Sequence, residues 1–279
     1  MAAVDLATYS HDLWLSGRGH AFFGTLMRLP NVRWLHMFAA GMDSPVFAEL
    51  RNRGIRLTNS PGATARPIAH SVMMHVIALC RNARRFADFQ HRHEWARTDI
   101  RNEDLEGRTM GIVGLGHIGA EVARLAPHFG MRVIGMRRQP RGDEPCETWP
   151  VTRLAELLAT VDDLVLTAPL TDDTRGMVGA AELAMLRPGA HLVNVGRGEL
   201  VDEAALADAL ARGHLGGAAL DVFVTEPLPA DSPLWDLPNV IITPHAAAGT
   251  QLGADRAAEM FTRNLAAFVM GGAMPTELP

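Results

Sequence analysis

Gly114-Leu115-Gly116-His117-Ile118-Gly119 places three glycines at the spacing G-x-G-x-x-G, after the apolar run Thr109 to Val113 and ahead of a helical pattern. In that setting each glycine has a physical task. Gly114 permits a tight turn, Gly116 lets the backbone approach a pyrophosphate, and Gly119 allows close packing of helix on strand. The helix start at His117 and Ile118 adds unpaired amide donors for the anion. The chemistry implied is dinucleotide binding. All 26 cationic residues are arginine, so a kinase loop of similar spelling, which needs a lysine, is excluded. Lysine Schiff-base chemistry and a P-loop are excluded on the same ground. About 20 residues past such a loop, an NAD-binding unit presents an acid to the ribose hydroxyls. Here the strand pattern Met131 to Met136 runs instead into Arg137-Arg138-Gln139-Pro140-Arg141, with no carboxylate in the run to repel an anion. A guanidinium of Arg137 or Arg138 can fork onto a 2'-phosphate. NADP(H) is therefore the expected cofactor and NAD(H) the alternative.

Strands must hold these residues, and the second part of the chain supplies them. The apolar runs Thr109 to Val113, Arg132 to Met136, Asp163 to Thr167, His191 to Val195, Gly217 to Val222 and Val240 to Thr243 alternate with helical patterns. Alternation of this kind predicts a doubly wound α/β domain, a parallel sheet with helices on both faces. The helices expected are Ile118 to Phe129, Thr152 to Ala159, and Asp202 to Arg212, the last with an acidic start and Gly213 at its end. Earlier in the chain, Asn31 to Phe38 and Ile55 to Thr58 read as strands. Ala63 to Phe89 reads as one long helix, with Pro67 tolerable near its start. The polar stretch Gln90 to Gly107 is the expected crossing between two lobes.

The balance of residues narrows the partners. At 279 residues and 48% hydrophobic the chain can bury a large core, and a net charge of -5 offers no general attraction to nucleic acid or an anionic membrane. No stretch reaches ~18 uninterrupted apolar residues, and Met1 to Gly19 carries Asp5, His11, Asp12 and Arg18 rather than a signal-peptide core. Cys80 and Cys146 are too few for a disulfide framework, which fits a reducing, cytoplasmic setting. His70 and His75 lack the spacing of a metal pair on a helix, and His91 and His93 read as a solvated polar face, so no metal is expected.

Several further motifs stand in order along the chain. Asn194-Val195-Gly196-Arg197-Gly198 is followed by Val201-Asp202 and Ala205-Leu206. Ala219-Leu220-Asp221-Val222-Phe223 comes next with Glu226-Pro227, then Thr243-Pro244-His245 with Thr250 beyond. Pro169-Leu170-Thr171 with Thr174, and Ala40-Gly41-Met42-Asp43, complete the set. Together they resemble the D-isomer-specific 2-hydroxyacid dehydrogenases of the glyoxylate/hydroxypyruvate reductase kind, from about Asn31 to Phe268. The resemblance implies a Rossmann cofactor domain, 85–249, inserted in a smaller flavodoxin-like substrate domain, 1–84 and 250–279, with the active site in the cleft. It implies reduction of a small 2-keto acid to a D-2-hydroxy acid. That reaction needs a hydride at the carbonyl carbon, a proton for the carbonyl oxygen, and positive charge for the carboxylate and carbonyl. Arg197 fits the last task. His245 suits the general acid, since imidazole titrates near neutrality, and Glu226 would orient it and stabilise its protonated form. The resemblance also implies that Asp221 meets the nicotinamide carboxamide and that Pro169 and Thr174 belong to the cofactor's surroundings. The backbone amides of Ala40 and Gly41, with Arg197 and His245, would hold the substrate.

The pattern is departed from in two places. Family members usually begin with a further strand and helix, so the substrate domain is expected to be abbreviated at its N-terminus, and Ala69-His70-Ser71 stands where the family often writes Ala-Glu-His. The short start favours a second reading, a dinucleotide-sensing corepressor-like protein or an inactive truncated homologue, whereas intact Arg197, Glu226 and His245 favour the enzyme. No phosphate-binding cluster is evident in the first third, which points to unphosphorylated acids, glyoxylate and hydroxypyruvate first, with branched or aromatic keto acids as the alternative. The largely apolar run Ile68 to Leu79 exceeds what a small substrate lobe can bury on every side and calls for a partner, and the resemblance implies that this partner is a second copy, a homodimer burying more than ~2,000 Å².

Overall fold

A computed structural model describes residues 4–10, 12–13, 16–42, 44–95 and 101–278. By contacts the chain forms two compact units, Met1–Pro67 with Ala248–Pro279, and Ile68–Ala247. In the first unit β1 (Leu6–Tyr9), β2 (Trp34–Met37) and β3 (Arg56–Thr58) pair in parallel in that order, with α1 (Gly19–Leu26) and α2 (Pro45–Asn52) as the connecting helices. All four residues of β2 are buried, as a central parallel strand covered on both faces requires. Tyr9, Leu26, Leu35, Phe47, Leu50 and Leu57 form the core on one side. Trp34 stacks on Phe261 of the C-terminal helix Gln251–Val269, ring centroids 5.4 Å apart, and donates its Nε1–H to Thr58 Oγ1 at 2.8 Å.

The long helix expected from Ala63 to Phe89 is two helices, α3 (Ala65–Cys80) and α4 (Ala83–His91). Asn82 breaks it with a left-handed backbone, φ 50°, a conformation asparagine tolerates better than most residues, and its side-chain amide donates to Arg101 O at 2.9 Å. The division near Arg84 drawn from sequence differs from the observed one at Pro67. Beyond Pro67, α3 packs on the second unit: Leu79 lies against Gly217, and Cys80 Sγ is 3.9 Å from His191 Nδ1. Part of the expected crossing, 96–100, lies outside the described residues.

The second unit is the doubly wound domain. Its elements are β4 (Thr109–Val113), α5 (His117–Leu125), β5 (Arg132–Arg137), β6 (Glu147–Pro150), α6 (Leu154–Thr160), β7 (Asp163–Leu166), α7 (Ala180–Met185), β8 (His191–Asn194), α8 (Glu203–Ala211), β9 (Gly217–Leu220) and β10 (Val240–Ile242). The strands pair in parallel in the order β10-β9-β8-β7-β4-β5-β6. The order reverses direction between β4 and β7, the switch point at which open α/β sheets bind ligands. Helix boundaries follow local chemistry. Pro127 turns the end of the expected Ile118 to Phe129 helix into a 3-10 turn, and Asp202 caps α8 by accepting from Ala205 N at 3.0 Å. Strand β6 was not foreseen. It is a short edge strand bounded by Pro145 and Pro150, with only Trp149 buried, and shows no alternation long enough to read.

Register fixes the working edge. Val113 pairs with Met136 and with Leu166, Leu166 with Asn194, Asn194 with Leu220, and Leu220 with Ile242. The strands therefore end level or within one residue of it, and the loops beginning at Gly114, Arg138, Thr167, Val195, Asp221 and Thr243 emerge along one edge. From β9 to β5 is four strand spacings, about 19 Å, a span suited to an extended dinucleotide.

Candidate active site

The phosphate loop begins where β4 stops. Gly114 has φ 102°, and a Cβ there would lie 2.4 Å from Ala168 N, so both conformation and space demand glycine. A Cβ on Gly119 would lie 2.4 Å from Gly114 O, which is the tight helix-to-strand packing expected of it. Gly116 is different, for a Cβ there meets nothing within 4 Å. The first intrahelical bond of α5 runs from Ala120 N to Gly116 O, leaving the amides of His117, Ile118 and Gly119 as the helix's unpaired donors. An open backbone at Gly116 beside those donors fits a pyrophosphate. Thr167, for which sequence reading assigned no role, donates its hydroxyl to Gly114 O at 2.6 Å and locks the loop to the start of the next one. In that next loop Thr174 Oγ1 accepts from Thr171 N and donates to Pro169 O, both at 2.8 Å, so Pro169 and Thr174 form one turn.

At the end of β5 the structure corrects the sequence reading. A carboxylate is present there after all, because the chain from Arg138 to Gly142 turns back, with Gly142 at φ 89°, and returns Glu144 onto Arg137. Arg137 Nη1 is 3.2 Å from Glu144 Oε1, which also accepts from Arg141 N at 2.6 Å, while Glu144 Oε2 accepts from Gly142 N at 2.8 Å. The Arg141 amide, then the Gly142 amide and the Arg137 charge, hold this carboxyl below the usual range against the opposing effect of burial. Arg138 stands 73% exposed, with a 3.8 Å approach to the exposed Asp173.

Toward β8, β9 and β10 lie the three residues expected to do chemistry. Arg197 follows β8, where Asn194 shapes the turn by accepting from Gly196 N at 3.0 Å and donating to Arg197 O at 2.8 Å. Gly198 allows no side chain, since a Cβ would fall 2.0 Å from the Phe223 carbonyl carbon. His245 Nδ1 is 2.8 Å from Glu226 Oε2, and Glu226 Oε1 accepts from Phe223 N at 3.1 Å. Both side chains of the pair are 35% exposed. Burial alone would raise the Glu226 carboxyl. The hydrogen bond and charge of His245, the Phe223 amide and the Arg197 charge outweigh it and hold the group below its usual range. The pair sets an imidazole against a carboxyl held in its charged form.

His245 has φ 52°, and Asp221 keeps the turn in place. The buried Asp221 Oδ1 accepts from Thr243 Oγ1 at 2.5 Å and from Ala246 N at 2.9 Å, and its Oδ2 accepts from Ala247 N at 3.1 Å. Much of its hydrogen-bonding capacity thus goes to the loop on either side of His245. Sequence reading had placed Asp221 toward the cofactor and had not seen this support. Ala40 and Gly41 follow β2 in the first unit, where Ala40 O accepts from Asn59 Nδ2 at 2.7 Å; Asp43 lies outside the described residues.

A second cluster occupies the opposite edge. Cys80, Glu103 and His191 bring potential metal-ligand atoms within 4.8 Å of one another. Arg108 already stands among them, paired to Glu103 and, at 2.8 Å, to Asp163, with its Nη2 3.2 Å from His191 Nδ1. An internal cation therefore neutralises these acids.

Residues 73–247 match the family model described as D-isomer specific 2-hydroxyacid dehydrogenase, NAD binding domain. A glyoxylate reductase of Korarchaeum cryptofilum (strain OPF8) is 38% identical over 251 residues, covering 88% of this chain and 76% of that protein. The solved NADPH-dependent glyoxylate/hydroxypyruvate reductase of Sinorhizobium meliloti, in complex with citrate, superposes with a TM-score of 0.80 at 30% identity, over 91% of this chain and 80% of its own. A D-isomer specific 2-hydroxyacid dehydrogenase from Xanthobacter autotrophicus Py2, in complex with NADPH and MES, gives a TM-score of 0.81 at 28% identity, over 100% of this chain and 98% of its own.

Proposed function

Because the chain belongs to the D-isomer specific 2-hydroxyacid dehydrogenases, oxidoreductases acting on CH-OH groups with a nicotinamide dinucleotide, we propose that it reduces glyoxylate and hydroxypyruvate, with NADP(H) preferred. The observation that carries this reading is the His245–Glu226 pair at 2.8 Å, within electrostatic reach of Arg197, on the sheet edge that also bears the phosphate loop. Bound NAD(P)H supplies the hydride. Arg197 holds the substrate carboxylate and draws charge from the carbonyl. Glu226, kept ionised, takes up Nδ1 of His245 and fixes the ring, so proton delivery to the carbonyl oxygen runs through Nε2. Ala40 and Gly41 are proposed as further carboxylate donors, and Asp221 as the residue that positions His245 while meeting the carboxamide.

The arginine loop after β5 and the NADPH named for two structural relatives support the cofactor preference. The deciding experiment is cofactor oxidation by the purified chain with glyoxylate, hydroxypyruvate and bulkier 2-keto acids, each with NADPH and NADH. The expected result is turnover of the two small acids with kcat/KM for NADPH at least about tenfold above NADH, roughly 1.4 kcal/mol. Tight NADPH binding with no turnover of any 2-keto acid would favour the dinucleotide sensor instead.

A homodimer is proposed through the second unit. Met73, Met74, Ile77, Leu125 and Phe129 line an apolar hollow of about 590 Å³, and Met74 remains 53% exposed. Sedimentation at micromolar concentration tests it, an active monomer being the contrary result. A cytoplasmic location is proposed from the two free cysteines, Cys80 buried and Cys146 half-buried; among the described residues no helix is long and apolar enough to cross a membrane.

A further inference from the structure

We propose that Glu144 sets the preference for a phosphorylated cofactor by shaping the arginine loop that reads it; the assignment rests on the NADP(H) reading above. Arg137 ends β5, where a direct ligand of a 2'-phosphate would be sought first. Its guanidinium is already matched by Glu144, whose side chain is only 5% exposed, and a cation neutralised in this way has little left to offer a dianion. Arg138 is placed otherwise. It projects into solvent, and its 3.8 Å approach to the still more exposed Asp173 is the kind of surface contact that yields readily to a better anion. Arg141 has its amide on Glu144 and, among the described residues, no carboxylate on its guanidinium.

One carboxylate thus performs three tasks. It cancels Arg137, it gathers the amides of Arg141 and Gly142, and it closes the turn at Gly142 that holds Arg138 and Arg141 on the same short loop. Because three donors occupy it, its own charge is directed into the loop rather than toward an incoming phosphate. Glu144 is accordingly a positioning residue, acting through Arg138 and Arg141.

The test is steady-state kinetics of the full chain with NADPH and NADH, for wild type, Glu144→Gln and the double variant Arg137→Met/Glu144→Gln. Glu144→Gln should lower kcat/KM for NADPH at least fivefold through KM, with kcat retained and the NADH values within twofold of wild type. The double variant should match Glu144→Gln, because the two residues act as a unit. An unchanged or widened NADPH preference in Glu144→Gln would overturn the assignment. So would an equal loss with both cofactors, or a further NADPH loss in the double variant, which would make Arg137 the direct ligand. Should Glu144→Gln fold poorly, Glu144→Asp keeps the charge, shortens the reach, and carries the same expectation. A wild type without NADPH preference overturns the cofactor reading and this assignment with it; a wild-type preference that Glu144→Gln leaves intact overturns Glu144 alone.

Discussion

Two carboxylate–histidine pairs sit at opposite edges of one sheet, and their difference separates a proposed chemical device from a structural one. Glu226 and His245 lie beyond the strand ends, each 35% exposed, with the histidine on a loop. Asp163 and His191 pair in register at the starts of β7 and β8, 0% and 5% exposed, 3.0 Å apart, with Arg108 closing the group. The bonding inside each pair is nearly the same. Access differs: the buried pair has its donors and acceptors consumed by one another, whereas the outer pair can pass a proton to a molecule arriving at the loop edge. A carboxylate beside a histidine is therefore not a catalytic signal until the edge it occupies is known.

The sharpest way to break this contrast is at the histidine of the outer pair. His245→Gln is expected to lower kcat by about 10²- to 10⁴-fold while the melting temperature stays near wild type. Near-normal turnover would remove the assigned acid. Arg197→Ala should raise KM as well as lower kcat, because the arginine is proposed to hold the carboxylate in the ground state too. The counterpart is Asp163→Asn, which leaves Arg108 buried without its main partner. It should cost about 3 to 5 kcal/mol of stability in urea melts, with kcat of the folded fraction within threefold of wild type. A loss of kcat without a loss of stability would show that the buried pair acts in turnover.

A third histidine, this one buried, sharpens the comparison, since it has no carboxylate. His36 hydrogen-bonds Thr58 Oγ1 at 2.7 Å and Ser60 Oγ at 3.1 Å, and burial pushes it down to about 4, against a smaller opposing effect of the Ala257 backbone. Its folded pKa lies below its unfolded one, so the folded state binds fewer protons in between. Stability from this residue is complete above about 6.5 and declines as pH falls toward 4, by about 3 kcal/mol in all. Asp163 behaves oppositely to its own burial: His191 and Arg108 outweigh desolvation and hold its carboxyl low, so its contribution persists until the pH falls below the ordinary carboxylate range. Urea melts at pH 7 and pH 4.5 should therefore show a loss that His36→Gln reduces and Asp163→Asn does not.

Much of the second unit was legible because buried parallel strands write themselves as short apolar runs, and because Gly114, Arg197, Glu226 and His245 each follow such a run. The roles of Gly114 and Gly119 could be read from spacing, since the packing that demands them is local. Glu144 could not be, for its partner Arg137 is reached only when a loop folds back. The Asp163–His191–Arg108 group was hidden as well, being assembled from the starts of three separate strands. Asn82 was lost inside a helical pattern because one left-handed residue leaves no trace in periodicity, and β6 because four residues between prolines show no alternation.

The left-handed backbone of His245 sets activity against durability. A non-glycine residue at φ 52° costs on the order of 1 kcal/mol or more, which glycine would not incur and asparagine would incur less. A library at position 245 sorted for heat resistance should therefore enrich glycine and asparagine, and the same library sorted for turnover should return histidine. Improving the protein by melting temperature alone would then select against the proposed acid.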